Sequence, residues 1–154
     1  MKKLMLLMLL AFSSVSYGQK IKDYLPSLIC TFLAGSSDGL RDASMYRMDG
    51  YGKFWNGKNS WSNKYKNNDM RQGPAYFGST SFLAFTTDGP HLSNMVTHQF
   101  NGMAVAFMPS DENKKFGHVV LKVLAYNAVR QAGHSLVYGL IFKPKYPGDN
   151  PLPY

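Results

Sequence analysis

Residues 118–142, HVVLKVLAYNAVRQAGHSLVYGLIF, decide the fold class of this chain. The stretch contains no proline, and it lies between Gly117 and Pro144, as expected at the two ends of a helix. At 1.5 Å per residue such a helix would be about 37 Å long, which is enough to cross a bilayer with some tilt. The sequence therefore predicts one long helix here.

The polar side chains of this predicted helix, apart from Lys122 near its start, form a single stripe. They recur at intervals of three and four residues and are Asn127, Arg130, Gln131, His134, Ser135 and Tyr138. The rest of the helix surface is mostly apolar, the reverse of a surface helix in a soluble protein. Two interpretations stay open: the stripe is the solvated face of a soluble protein, or it faces inward in a bundle in or on a membrane. The narrow stripe and wide apolar surface favour the second.

The remaining sequence predicts three more helices and one long loop. Residues 49–72 have no apolar period and are rich in Gly, Asn and Ser, so we expect a loop there. Helices are expected near residues 24–47, 74–87 and 90–108, the last of them capped by Asp88. The predicted fold class is all-α: a small helical bundle of about four helices with one long aromatic and basic loop, associated with a membrane.

Length, composition and charge narrow the possibilities further. A chain of 154 residues and 17.3 kDa is expected to form one domain. The hydrophobic fraction of 45% excludes a disordered chain, and the single cysteine, Cys30, excludes disulfides or a multi-cysteine zinc site within one chain. Lys and Arg number 17 against 9 Asp and Glu, and the net charge of +8 predicts anionic partners.

The first eighteen residues resemble a secretory signal peptide. Lys2 and Lys3 precede the apolar residues 4–12, and Ser16 and Gly18 suit the −3 and −1 positions of a cleavage site. An uncleaved anchor is the alternative, but nine apolar residues are too few to span the roughly 30 Å hydrocarbon core. We therefore predict a single helical domain over residues 19–154, exported to the bacterial inner membrane or periplasm.

Acidic and histidine side chains on the predicted helices are candidates for a polar seam between them. The candidate residues are Asp38, Asp42, Asp88, His91, Arg130 and His134. Arg130 would need an acidic partner inside an apolar bundle, because an unpaired arginine at mid-bilayer costs about 2.5–3.5 kcal/mol. We expect Arg130 and His134 to pair with Asp38, Asp42 or Asp88.

A metal site is the alternative interpretation of the same side chains. Asp88, His91 and His134 could hold a divalent metal that polarises water for hydrolysis. The chain has no His-Glu-x-x-His motif, and Gly133-His134-Ser135-Leu136-Val137 lacks the second glycine of a nucleophile elbow. No cofactor is therefore predicted, with a divalent metal as the one alternative.

The loop combines aromatic and basic side chains in a way that predicts contact with an anionic surface. The candidate contact residues are Trp55, Lys58, Trp61, Lys64, Tyr65 and Lys66. Such a mixture suits single-stranded nucleic acid in a cytosolic protein, but export argues against that partner. In an envelope protein it suits the headgroup layer of a membrane. A protein or glycan partner, or an ordered loop held by its own aromatics, stays open.

Three short segments carry the one resemblance to known proteins. They are Phe54-Trp55-Asn56, then residues 60–67, SWSNKYKN, and then residues 86–92, TTDGPHL. Together they resemble a group of small uncharacterised exported or membrane proteins of bacteria, over about residues 30 to 142. The resemblance implies a helical, envelope-located protein and no particular activity.

The predicted function is a non-catalytic one. We expect an exported, membrane-associated helical protein of the bacterial envelope with a structural or interaction role and with the membrane lipid surface as its partner. One alternative is a membrane-embedded, metal-dependent hydrolase acting on a phosphate-bearing lipid. A second alternative is a soluble periplasmic binding module.

Overall fold

The computed structural model describes residues 21–48, 51–110 and 115–143, and over these residues the chain is all-α, as predicted. Helix α1 spans Ile21–Tyr46, the short α2 spans Gly57–Ser60, α3 spans Gly89–Ala106 and α4 spans Phe116–His134. A π-helix over Ser135–Ile141 continues α4. The predicted signal peptide lies outside the described residues.

Helix α1 is the centre of the bundle and runs antiparallel to α3. Near its start, the Ser27 hydroxyl donates a 2.6 Å hydrogen bond to the carbonyl of Ala104, at the end of α3. Further along, the Ser37 hydroxyl donates a 2.9 Å bond to the carbonyl of Ser93, near the start of α3. The two helices therefore contact each other through small side chains that bond directly to the facing backbone.

Helix α4 packs against α1 in a parallel arrangement, through glycines. A Cβ added to Gly35 would overlap the backbone carbonyl oxygen of Arg130, and one added to Gly39 would lie 2.7 Å from the carbonyl oxygen of His134. On the facing helix, a Cβ on Gly133 would overlap the carbonyl oxygen of Phe32. This spacing of small residues four apart is typical of helices that associate in membranes.

The start of α3 agrees with the sequence prediction. The Asp88 carboxylate accepts a 2.9 Å hydrogen bond from the backbone N–H of His91, and Pro90 lies in the first turn. Asp88 therefore caps the helix, which begins at Gly89.

The predicted helix over residues 74–87 is wrong. That segment forms turns and one short 3-10 helix over Ala84–Thr86, so the loop between α1 and α3 is much longer than residues 49–72. Gly78 has a φ of +82°, which a helix does not tolerate. The buried Ser79 hydroxyl donates to the carbonyl of Lys64, which fixes the segment to the loop instead.

The long helix near residues 118–142 also differs from the prediction in one respect. Its α-helical part ends at His134, and the seven residues Ser135–Ile141 are π-helical. Among the described residues, no helix combines the length and the apolar character that a membrane crossing requires. The expected crossing by residues 118–142 is therefore not supported.

The interior of the bundle is made of small and polar side chains. The largest fully buried side chains among the described residues are those of Asp88 and four serines, Ser27, Ser44, Ser60 and Ser79. The buried hydrophobic residues are Tyr24, Cys30, Ala34, Ala43, Met48 and Ala104. Leucine, isoleucine, valine and phenylalanine, the usual core residues, are absent from this described interior.

Candidate functional site: a polar seam and an apolar exterior

Arg130 joins the three long helices at the middle of the bundle. Its Nη2 donates a 3.0 Å hydrogen bond to the Asp38 carboxylate on α1, and its Nη1 donates a 2.8 Å bond to the Asn101 side chain on α3. The Asp38 side chain is 20% exposed and that of Arg130 35% exposed, so the pair is largely shielded from water. A single guanidinium thus connects one acid and one amide across two helix interfaces.

His134, one turn after Arg130, contacts the next acid of α1. Its Nε2 lies 3.0 Å from an oxygen of Asp42. Arg41 completes the group, with 2.9 Å to Asp38 and 3.0 Å to Asp42. The polar seam of this structure is therefore the set Asp38, Arg41, Asp42, Asn101, Arg130 and His134.

The structure does not bring Asp88 and His91 into this seam. His91 Nδ1 lies 2.8 Å from the Asp88 carboxylate, which also accepts from the Thr87 hydroxyl, at the N-terminus of α3. Asp88 is completely buried there and serves as the helix cap. No three His, Cys, Asp or Glu side chains in the described ranges form a group able to hold a metal ion, so Asp88, His91 and His134 are not assembled as ligands.

The polar side chains of α4 do not all face the same way. Arg130 and His134 face α1, as expected for an inward stripe, whereas Asn127 and Gln131 are exposed. Asn127 and Gln131 share a face with Val120 and Leu124 at helical spacing. The exposed face of α4 is therefore apolar in its first half and polar in its second.

The C-terminal end of the π-helix is held by Arg47, the residue that follows α1. The Arg47 guanidinium donates hydrogen bonds to the carbonyls of Tyr138 and Phe142, the latter at 2.7 Å, and stacks 3.5 Å from the Tyr138 ring centroid. It thus satisfies carbonyl groups that the end of the helix leaves without intrahelical partners. No local sequence pattern predicts this contact.

Large apolar side chains are exposed on all three long helices, mainly at one end of the bundle. We call this surface the apolar end, and it comprises Leu25, Ile29, Leu33, Met103, Val105, Phe107, Val119, Val120, Leu121, Val123 and Leu124. The start of α1, the end of α3 and the start of α4 meet there because α1 runs antiparallel to α3 and parallel to α4. The exposed fractions reach 58% at Leu124 and 70% at Val105.

The aromatic and basic loop lies at the opposite end, and part of it is structural. The Trp55 ring packs so closely on Gly89 that a Cβ there would overlap it. The Gly89 N–H donates a 2.7 Å bond to the carbonyl of Phe54, and the Asn63 amide donates a 3.1 Å bond to the carbonyl of Thr87. Trp55 therefore fastens the loop to the start of α3.

The other candidate contact residues are more accessible. Trp61 is 50% exposed and meets the Tyr65 ring edge-on at 6.4 Å, while the Lys64 ammonium lies 5.5 Å from that ring. Lys58 and Lys66 are exposed. The loop thus presents aromatic rings and cations side by side.

Sequence reasoning missed an exposed aromatic pair within the loop. Phe77 is 86% exposed and Phe82 63% exposed, and their rings meet edge-on at 5.7 Å. Both residues fall in the segment that was expected to be a helix, where their apolar character would have indicated a buried face. Gly78 and the serine and threonine residues between them were the signal for a loop.

No family model, curated protein or solved structure matches this sequence. The resemblance to small bacterial envelope proteins therefore stays a prediction, and the function is inferred from geometry.

Proposed function

We propose that this chain is an exported, membrane-associated helical protein of the bacterial envelope with a non-catalytic structural or interaction role. The observation that carries the proposal is the inverted distribution of side chains: most of the buried residues are serine, threonine, alanine or glycine, and leucine, valine, isoleucine and methionine cover the apolar end. In water such exposed apolar surface is unfavourable, whereas in hydrocarbon it is the expected exterior.

The apolar end is built from all three long helices, since its exposed residues lie on α1, α3 and α4 alike. Fully burying a leucine or valine contributes about 1.5–3 kcal/mol, so several half-exposed residues on three helices would together favour immersion of this end strongly.

The polar seam supports the same proposal. Arg130 has an acid and an amide within 3.0 Å, and His134 has an acid at 3.0 Å, so these two side chains have polar partners inside the bundle. Ionisable residues in membrane proteins pair with one another in this way. The role we assign to the seam is to fix the register of the three helices.

The apolar end can be tested by placing charges on it. Val120 and Leu124 lie four apart on the exposed face of α4, and we expect V120D/L124D to lower the affinity for phosphatidylcholine vesicles at least tenfold, because a carboxylate in hydrocarbon is strongly unfavourable. The measurement is flotation of the purified full chain with vesicles in a density gradient.

A matched control adds two carboxylates elsewhere. Asn59 and Asn68 are exposed in the loop, and N59D/N68D is expected to float like the parent protein. Neutral vesicles keep the net charge of the variants from deciding the result. If the parent protein stays at the bottom of the gradient, or V120D/L124D floats as well as N59D/N68D, the proposed membrane contact is wrong.

A further inference from the structure

The loop end of the bundle carries a second apolar feature, the exposed pair Phe77 and Phe82, here called the aromatic knob. We propose that the aromatic knob inserts at the headgroup and acyl-chain boundary of an anionic membrane, guided by the cations of the same loop. The inference rests on the proposed function and adds to it the lipid class and the side chains that recognise it.

The knob is a built structure. Gly78 adopts a φ of +82°, and a Cβ there would lie 2.8 Å from the Phe82 ring, so glycine is what lets this ring fold back beside Phe77. The backbone N–H groups of Ser81 and Leu83 both donate 3.0 Å bonds to the carbonyl of Gly78. The turn thus keeps both phenyl rings exposed in a fixed conformation. Little conformational entropy is therefore lost when the rings bind a partner.

The base of the knob is attached to the basic part of the loop. The Ser79 hydroxyl donates a 2.8 Å bond, and the Ala75 N–H a 2.9 Å bond, to the carbonyl of Lys64. The Lys66 N–H donates a 3.0 Å bond to the carbonyl of Gly73. The two lysines therefore keep a fixed position beside the knob.

The positive charge of the loop favours an anionic membrane as the partner of the aromatic knob. Between residues 51 and 87 the only acid is Asp69, and the cations are Lys53, Lys58, Lys64, Lys66 and Arg71. Each Lys or Arg near an anionic leaflet adds about 1 kcal/mol of attraction, and exposed aromatic rings prefer the headgroup level. Anionic phospholipid satisfies both requirements at once.

Two measurements on the full chain test the knob. F77S/F82S is expected to bind vesicles of phosphatidylcholine with 30% phosphatidylglycerol at least tenfold more weakly, because two exposed rings no longer enter the membrane. K64Q/K66Q is expected to lose about tenfold on these vesicles and little on pure phosphatidylcholine. Because Phe77 and Phe82 are exposed, helicity and thermal midpoint should be unchanged.

Depth of insertion provides an independent readout. A C30A chain carries F77C or N59C, labelled with a nitrobenzoxadiazole dye, and is mixed with anionic vesicles containing lipid spin-labelled at acyl carbon 5. Quenching is expected to be strong at position 77 and weak at the polar, exposed position 59.

The outcomes separate the two proposals. Equal quenching at both positions, in vesicles to which the parent protein binds, would overturn the knob and leave the membrane association of the helices intact. Failure of the parent protein to bind either kind of vesicle would overturn both. Strong quenching at 77 together with weakened binding of F77S/F82S supports the knob.

Discussion

Replacing Gly35 by alanine is expected to lower the free energy of unfolding by about 3 kcal/mol. The added methyl group would overlap the backbone carbonyl of Arg130, and a backbone carbonyl cannot rotate away as a side chain can. Helices α1 and α4 would have to separate, which would also stretch the ion pair of Arg130 with Asp38. Denaturation of the purified chain in mild detergent, followed by circular dichroism, measures the change.

Gly102 supplies the matched control for this substitution. It lies inside α3, it is exposed, and a Cβ there would meet nothing within 4 Å. Alanine at Gly102 is expected to leave stability unchanged or raise it by up to about 1 kcal/mol, because alanine favours helices more than glycine does. Equal effects of G35A and G102A would show that close contact between the backbones of α1 and α4 is not what holds the bundle.

Replacing Arg130 by alanine is the second substitution with a large expected effect, a loss of about 2–3 kcal/mol. It leaves Asp38 with one cation instead of two and removes the hydrogen bond to Asn101, and half-buried polar groups that lose their partners are costly. The expected loss of stability is smaller than for a fully buried ion pair because Arg130 is 35% exposed.

A double-mutant cycle isolates the seam contact from other consequences of the substitution. We expect R130A and D38A together to cost at least about 1 kcal/mol less than the sum of the single losses. R71A, at an exposed arginine of the loop, is the control and should stay within about 0.5 kcal/mol of the parent protein. Unchanged stability of R130A would contradict the role assigned to the seam.

The three long helices could be predicted because each is marked by local sequence. Asp88 and Pro90 indicate the start of α3, and the proline-free residues 118–142 predict α4. The segment 74–87 could not be predicted this way, since its apolar residues match a helix while Gly78 and the bonds of Ser79 oppose one. Those bonds are made to the carbonyl of Lys64, which is distant in sequence.

The seam was partly visible in the sequence for a similar reason. Arg130 and His134 lie one turn apart, as do Asp38 and Asp42, so two such pairs on facing helices can meet. Which acid each would contact depends on the register of α1 against α4, and the glycine contacts set that register. The third partner, Asn101, lies on α3 and accepts a hydrogen bond from Arg130. No local sequence pattern predicts how α3 is oriented relative to α1 and α4.

The central claim is that the apolar end faces hydrocarbon while the loop end faces the aqueous phase or headgroups. The most direct test is spin-label accessibility on the full chain in vesicles, with C30A as background and single cysteines at Val120, Leu124 and Asn59. Oxygen concentrates in the hydrocarbon, and a neutral nickel complex stays in water. We predict that labels at 120 and 124 meet oxygen and are shielded from nickel, with the reverse at 59. Nickel access at 120 and 124 equal to that at 59 would contradict the account.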